Sequence, residues 1–121
     1  MKGQGFLRRF GYARAGIFTA FRRERSMRTH GAAVIAVGIF LSLTGAPALW
    51  WALVGLAVGL VLVAEMANTA IETLADHLHP GQHPEIGVVK DVAAGAVLVA
   101  SVVAVIVGLA YLATLLPAMR A

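Results

Sequence analysis

Between Gly31 and Ala64 the chain runs for 34 residues without an Asp, Glu, Lys or Arg. A single helix of that length would extend about 51 Å, against an apolar bilayer core of about 30 Å. The run must therefore turn back on itself. Thr44-Gly45-Ala46-Pro47 is the only good break within it, because Gly and Pro together mark a turn. The piece before this turn is short for a span of about 20 residues. The first membrane helix is therefore extended back to near Ser26, with Arg28 and His30 at the headgroups. The second runs from about Ala48 through the polar segment Glu65 to Asp76. A loop over His77 to Glu85 follows, marked by Pro80, Gly81 and Pro84, and the third helix runs from near Ile86 to about Leu116.

Composition agrees with a bilayer setting. Hydrophobic residues make up 60% of the chain and charged residues 13%, where soluble domains average about 45–50% and about 25%. The 121 residues suffice for one domain. The absence of cysteine excludes disulfides, thiolate chemistry and Cys-based metal sites.

Eight of the ten Lys and Arg residues fall in the first thirty positions. Beside long apolar runs, such a cluster is read as a cytoplasmic anchor on anionic lipid, not as a nucleic-acid site. Arg14, Arg22, Arg23, Arg25 and Arg28 interrupt this region, so it is read as mature protein and not as a signal peptide. Within it, Phe6, Phe10, Ala13, Ile17 and Phe21 recur at helical spacing, with Arg8, Arg9, Arg14, Arg22 and Arg23 off that stripe. The pattern predicts an amphipathic helix over about 6–23, lying in the interface with its aromatic face down, although Gly11 and Gly16 weaken it.

The expected fold is thus an all-α membrane protein: a surface helix, then membrane helices over about 26–44, 48–76 and 86–116. By the positive-inside rule the N-terminus is cytoplasmic. The Thr44–Pro47 turn then lies outside and the His77–Glu85 loop inside. All six acids, Glu24, Glu65, Glu72, Asp76, Glu85 and Asp91, fall on the cytoplasmic side, although their positions were not used to orient the chain.

Glu65, Asn68, Glu72 and Asp76 follow one another at intervals of three, four and four, which puts them on one helical face. Glu65 directly continues the apolar run. An unpaired, ionised carboxylate at mid-bilayer costs on the order of 2.5–3.5 kcal/mol, so an acid at such a site points to function. The competing explanation is a polar seam that joins helices in an oligomer. Lys90 and Asp91 open the third span and taken alone would form an interfacial salt bridge; Glu24 taken alone would pair with a nearby arginine such as Arg28. His77, His79 and His83 read as solvated loop residues and not as a metal site. Neither Gly-x-x-x-x-Gly-Lys-Ser/Thr nor Gly-x-Gly-x-x-Gly occurs, so an ATP site here would have to rest on carboxylate-held Mg²⁺ and a few cations.

From about Gly11 to Gly108 the chain resembles the prokaryotic diacylglycerol kinase family, which includes undecaprenol kinases. The resemblance is carried by Glu65-Met-Ala-Asn68-Thr-Ala-Ile-Glu72-Thr-Leu-Ala-Asp76, by Lys90-Asp91-Val-Ala-Ala-Gly-Ala-Val and by Glu24-Arg25-Ser26-Met27-Arg28-Thr29-His30. It implies a homotrimer with active sites shared between neighbours, in the bacterial cell membrane, that phosphorylates a lipid alcohol with ATP. It further implies that Glu65 is the catalytic base, that Asn68 arranges the reacting groups, and that Glu24 and Glu72 hold the metal of Mg-ATP. Tyr12, Gly81, Gln82, His83, Lys90 and Asp91 correspond to nucleotide contacts. Arg9, Arg14 and Ala94 fall near positions that meet the lipid or the nucleotide, and Asp76 is a supporting residue.

Val92-Ala93-Ala94-Gly95-Ala96-Val97 resembles the undecaprenol kinase branch, where the diacylglycerol kinase branch has Met-Gly-Ser-Ala-Ala. Small residues there predict a shallow apolar groove beside Glu65 that suits an isoprenoid chain. Diacylglycerol, the alternative substrate, carries two ester groups that would gain from a donor such as a serine at Ala94. The readings from other classes are a small proton-relay or transporter-like protein and a structural helix-bundle subunit.

Overall fold

The computed structural model describes residue 3 and residues 5–117, and they form four helices in sequence. These are α1 (Phe6–Arg23), α2 (Arg25–Leu43), α3 (Ala48–Leu78) and α4 (Pro84–Thr114). Three of them, α2, α3 and α4, are long and apolar enough to cross a membrane. The chain is an all-α, multi-pass membrane protein.

The surface helix α1 is continuous through Gly11 and Gly16, despite their low helix propensity. Phe10, Ala13, Ile17 and Phe21 line one shallow apolar depression on it, joined by Phe18 and Arg14. Phe6 and Phe10 stack on one another at 6.4 Å. The helix ends at Glu24, whose extended backbone (φ −102°, ψ 118°) makes the elbow into α2. Arg28 closes this elbow by donating from Nη1 to the carbonyls of Phe21 at 3.1 Å and Arg22 at 2.8 Å. A cation on the last carbonyls of a helix is well placed for the helix dipole. Arg28 is therefore committed to backbone and not to Glu24, because the extended backbone at Glu24 aims the α1 carbonyls at it. Met27 is fully buried at the elbow. Gly31 permits the close packing: a Cβ there would sit 2.8 Å from Cε1 of Phe21.

The turn falls where Gly and Pro predicted it. Gly45 has φ +66°, Gly45 N–H donates to Ser42 O at 3.2 Å, and Ala46 N–H donates to Leu41 O at 3.0 Å. This is a Schellman ending, which needs a left-handed residue and so favours glycine. Pro47 then caps the start of α3. Tyr111, which is buried, reaches the turn from the end of α4, with its hydroxyl 2.5 Å from Thr44 Oγ1. Phe40 and Trp50 pack on its ring at 6.2 and 5.4 Å.

Three boundaries differ from expectation by two residues, and α2 is shifted by one residue at each end. α3 continues two residues past Asp76 to Leu78. α4 begins at Pro84, not near Ile86, because Pro suits the first helical position and His83 Nδ1 accepts the Glu85 N–H at 3.1 Å. It ends at Thr114, not near Leu116. At 31 residues, α3 is about 46 Å long. That exceeds the apolar core of about 30 Å, so its C-terminal turns stand clear of the bilayer interior.

Candidate functional site

Glu65 is the only polar or charged residue buried among the described residues, at 8% exposure. Both of its carboxylate oxygens are held from α2. Ser26 Oγ donates to Oε2 at 3.2 Å, and His30 Nε2 lies 3.1 Å from Oε1. Ser26 and His30 stand four residues apart on one helical face, so two neighbouring turns of α2 grip a single side chain of α3. A buried carboxylate needs such partners, since desolvation without them is costly.

One turn further toward water, Asn68 Oδ1 is buried and has no hydrogen-bond partner. Glu72 follows on the same face and is half-buried, as is Glu24 at the elbow. Neither carboxylate makes a hydrogen bond or ion pair among the described residues. Asp76, exposed on the last turns of α3, receives Lys90 Nζ from α4 at 2.5 Å. Lys90 also lies within reach of the Glu72 charge. The partner of Lys90 is thus Asp76 across the loop and not the adjacent Asp91.

The remaining expected site residues lie apart from Glu65. Tyr12 is exposed on α1, as are Arg9 and Arg14; Gly81 and Gln82 are exposed in the loop, and Asp91 and Ala94 on α4. His83 caps α4, and its ring lies tilted against that of His79 at 5.4 Å. None of these is hydrogen-bonded to Glu65 among the described residues. Among those residues no group of three or more His, Asp or Glu side chains converges as a metal cage. Two free carboxylates and an orphaned amide oxygen are nonetheless hard oxygen donors, the type that suits Mg²⁺ shared with phosphates.

α4 packs mainly on α3, and α2 meets α4 chiefly at Tyr111. An apolar groove of about 460 Å³ is left between α2 and α4, with α3 as its floor. Its walls include Val34, Val37, Val61, Val105 and Leu109, and His30 lines one end. The groove is therefore built from α4 residues Ser101 to Leu112 and not from the small residues 92–97. Those small residues sit nearer the N-terminal end of α4, beyond the His30 end of the groove.

The sequence pattern of the prokaryotic diacylglycerol kinase family matches residues 11–112. The chain belongs to this family. It is a lipid kinase. The transporter and structural-subunit readings are thereby set aside. Over 104 residues the kinase is 38% identical to an undecaprenol kinase of Bacillus subtilis, covering 86% of this chain and 85% of that protein. It is 43% identical over 101 residues to a diacylglycerol kinase of Synechocystis sp., and spans 57% of the length of that relative. It is 33% identical over 96 residues to the diacylglycerol kinase of Escherichia coli, covering 79% of each.

Sequence reasoning singled out Glu65 and its stripe but missed Ser26 and His30 as its partners. The available signal was two polar residues at i and i+4 entering an apolar helix.

Proposed function

We propose that this kinase transfers the γ-phosphoryl group of ATP to the terminal hydroxyl of undecaprenol at the cytoplasmic face of a bacterial cell membrane. The observation that carries the reading is a buried carboxylate, Glu65, joined through His30 to an apolar groove that runs into the bilayer. A lipid chain in the groove would bring its hydroxyl to the polar end, where Glu65 accepts the hydroxyl proton. The alcohol oxygen then bonds to the γ-phosphorus as the bond to ADP breaks. Such transfers depend mainly on positioning and charge neutralisation.

Glu24 and Glu72 are the residues we assign to a divalent ion, taken as Mg²⁺, with Asn68 beside the reacting groups. When bound, the ion neutralises charge on the phosphates. Tyr12, Gly81, Gln82, His83, Lys90 and Asp91 are assigned to the nucleotide, and Arg9, Arg14 and Ala94 to the lipid headgroup or nucleotide. The active assembly in this reading is a homotrimer. The support is that one chain leaves Asn68 and Glu72 only half covered at the membrane edge, where a neighbour would shield them.

Undecaprenol is favoured over diacylglycerol by Ala94, which supplies no side-chain donor for an ester carbonyl, and by a groove wall that is almost wholly apolar. Identity to relatives does not decide between them. Competition between the two lipids at equal mole fraction in mixed micelles tests the assignment. Higher kcat/KM for undecaprenol is expected; a clear preference for diacylglycerol would overturn the substrate while leaving the lipid kinase intact.

A further inference from the structure

We propose that Ser26 and His30 are positioning residues for Glu65, fixing the plane of its carboxylate so that a free lone pair faces the lipid hydroxyl. The inference rests on the reading of Glu65 as the base. A carboxylate offers about four acceptor sites on two oxygens. Ser26 uses one on Oε2 and His30 one on Oε1, at 3.2 and 3.1 Å. One site on each oxygen is left for substrate.

A glutamate has three rotatable side-chain bonds, and a single contact leaves its carboxylate free to turn. Two contacts, one on each oxygen and both from the same face of α2, remove that freedom. The geometry also fixes the proton positions. An ionised carboxylate only accepts, so Ser26 must donate its hydroxyl proton and His30 must carry a proton on Nε2. Both donors bear on the charged form that a base needs before it reacts. When the alcohol O–H bond breaks, the proton passes to the free site of Glu65; Ser26 and His30 keep theirs.

His30 has a second role in this arrangement. Its ring edge is on Glu65 while the same side chain lines the end of the apolar groove, with 30% of it still exposed. The residue that orients the base therefore also borders the path by which a lipid chain would arrive. Misplacement of a reacting group by about 1 Å can cost on the order of 100-fold in rate. Loss of the grip should thus reduce kcat and leave nucleotide binding alone.

The test uses the full-length kinase in mixed micelles, with kcat and the KM for Mg-ATP measured for Ser26→Ala, His30→Ala, His30→Gln, Glu65→Gln and the doubles of each alanine variant with Glu65→Gln. His30→Ala should lower kcat by about 10- to 100-fold with little change in the KM for Mg-ATP. His30→Gln, which restores an N–H donor, should recover part of that loss. In the Glu65→Gln background neither alanine change should lower the residual rate further, because both act through Glu65. Wild-type kcat in His30→Ala and Ser26→Ala, or losses that multiply in the doubles, would overturn the proposal. If His30→Ala fails to fold, Ser26→Ala and its double decide it by the same criterion. Glu65→Gln turning over at the wild-type rate would instead overturn the base assignment itself, a separate outcome.

Discussion

Lys90 Nζ and Asp76 Oδ1 meet at 2.5 Å, tying the last turns of α3 to the second turn of α4 across the loop between them. The pair is partly solvent-exposed, with 36% of the Lys90 side chain and 64% of the Asp76 side chain accessible. Exposed pairs contribute little to stability, so this one is better suited to holding a cation in waiting than to holding the fold. Asp76→Asn should leave the thermal unfolding midpoint nearly unchanged. Lys90→Met should raise the KM for Mg-ATP several-fold. Steady-state kinetics at varied nucleotide concentration check this, and an unchanged KM in Lys90→Met would remove Lys90 from the nucleotide site.

At the opposite membrane face, Tyr111 holds the Thr44 turn through its hydroxyl and two aromatic neighbours. Tyr111→Phe keeps the ring contacts and deletes only the hydrogen bond. It should cost about 0.5–1.5 kcal/mol of stability, the usual net worth of one such bond. Denaturant titration in detergent measures the loss. Catalytic constants should stay at wild-type values, since this cluster lies at the far end of the groove from Glu65.

The helical plan was legible because a charge-free run of 34 residues cannot stay in a 30 Å core without turning. Gly45 and Pro47 then located the turn, and periodicity aligned Glu65, Asn68, Glu72 and Asp76 on one face. The contacts that complete the site were not legible in the same way. Glu65 meets Ser26 and His30 across 39 and 35 residues, and Thr44 meets Tyr111 across 67. Periodicity within one helix sets which way a side chain points but not which helix it finds. His30 had been placed at the headgroups by depth alone, without a partner. The early start of α4 was missed because it depends on a side-chain cap from His83, a residue read as solvated loop.

Glu24 and Glu72 are assigned to one ion shared with the ATP phosphates, and the assignment has a signature in combination. Glu24→Ala and Glu72→Ala should each weaken the apparent affinity for Mg-ATP, and the double variant should lose less than the sum of the two free-energy changes. Strictly additive losses would separate the two carboxylates into different sites. Where active sites cross subunits of a trimer, mixing Glu24→Ala with Glu65→Ala subunits should restore measurable turnover. Its absence in demonstrably mixed assemblies would confine each site to one chain.

The central claim is that Glu65 acts as the base in lipid phosphorylation, and Glu65→Gln tests it most directly. The amide keeps the size of the side chain and removes its ability to take a proton. Transfer of labelled phosphate from ATP to undecaprenol should fall by about 10²- to 10⁴-fold, with the helical content and assembly of the purified protein unchanged. Wild-type phosphate transfer by a well-folded Glu65→Gln protein would contradict the account.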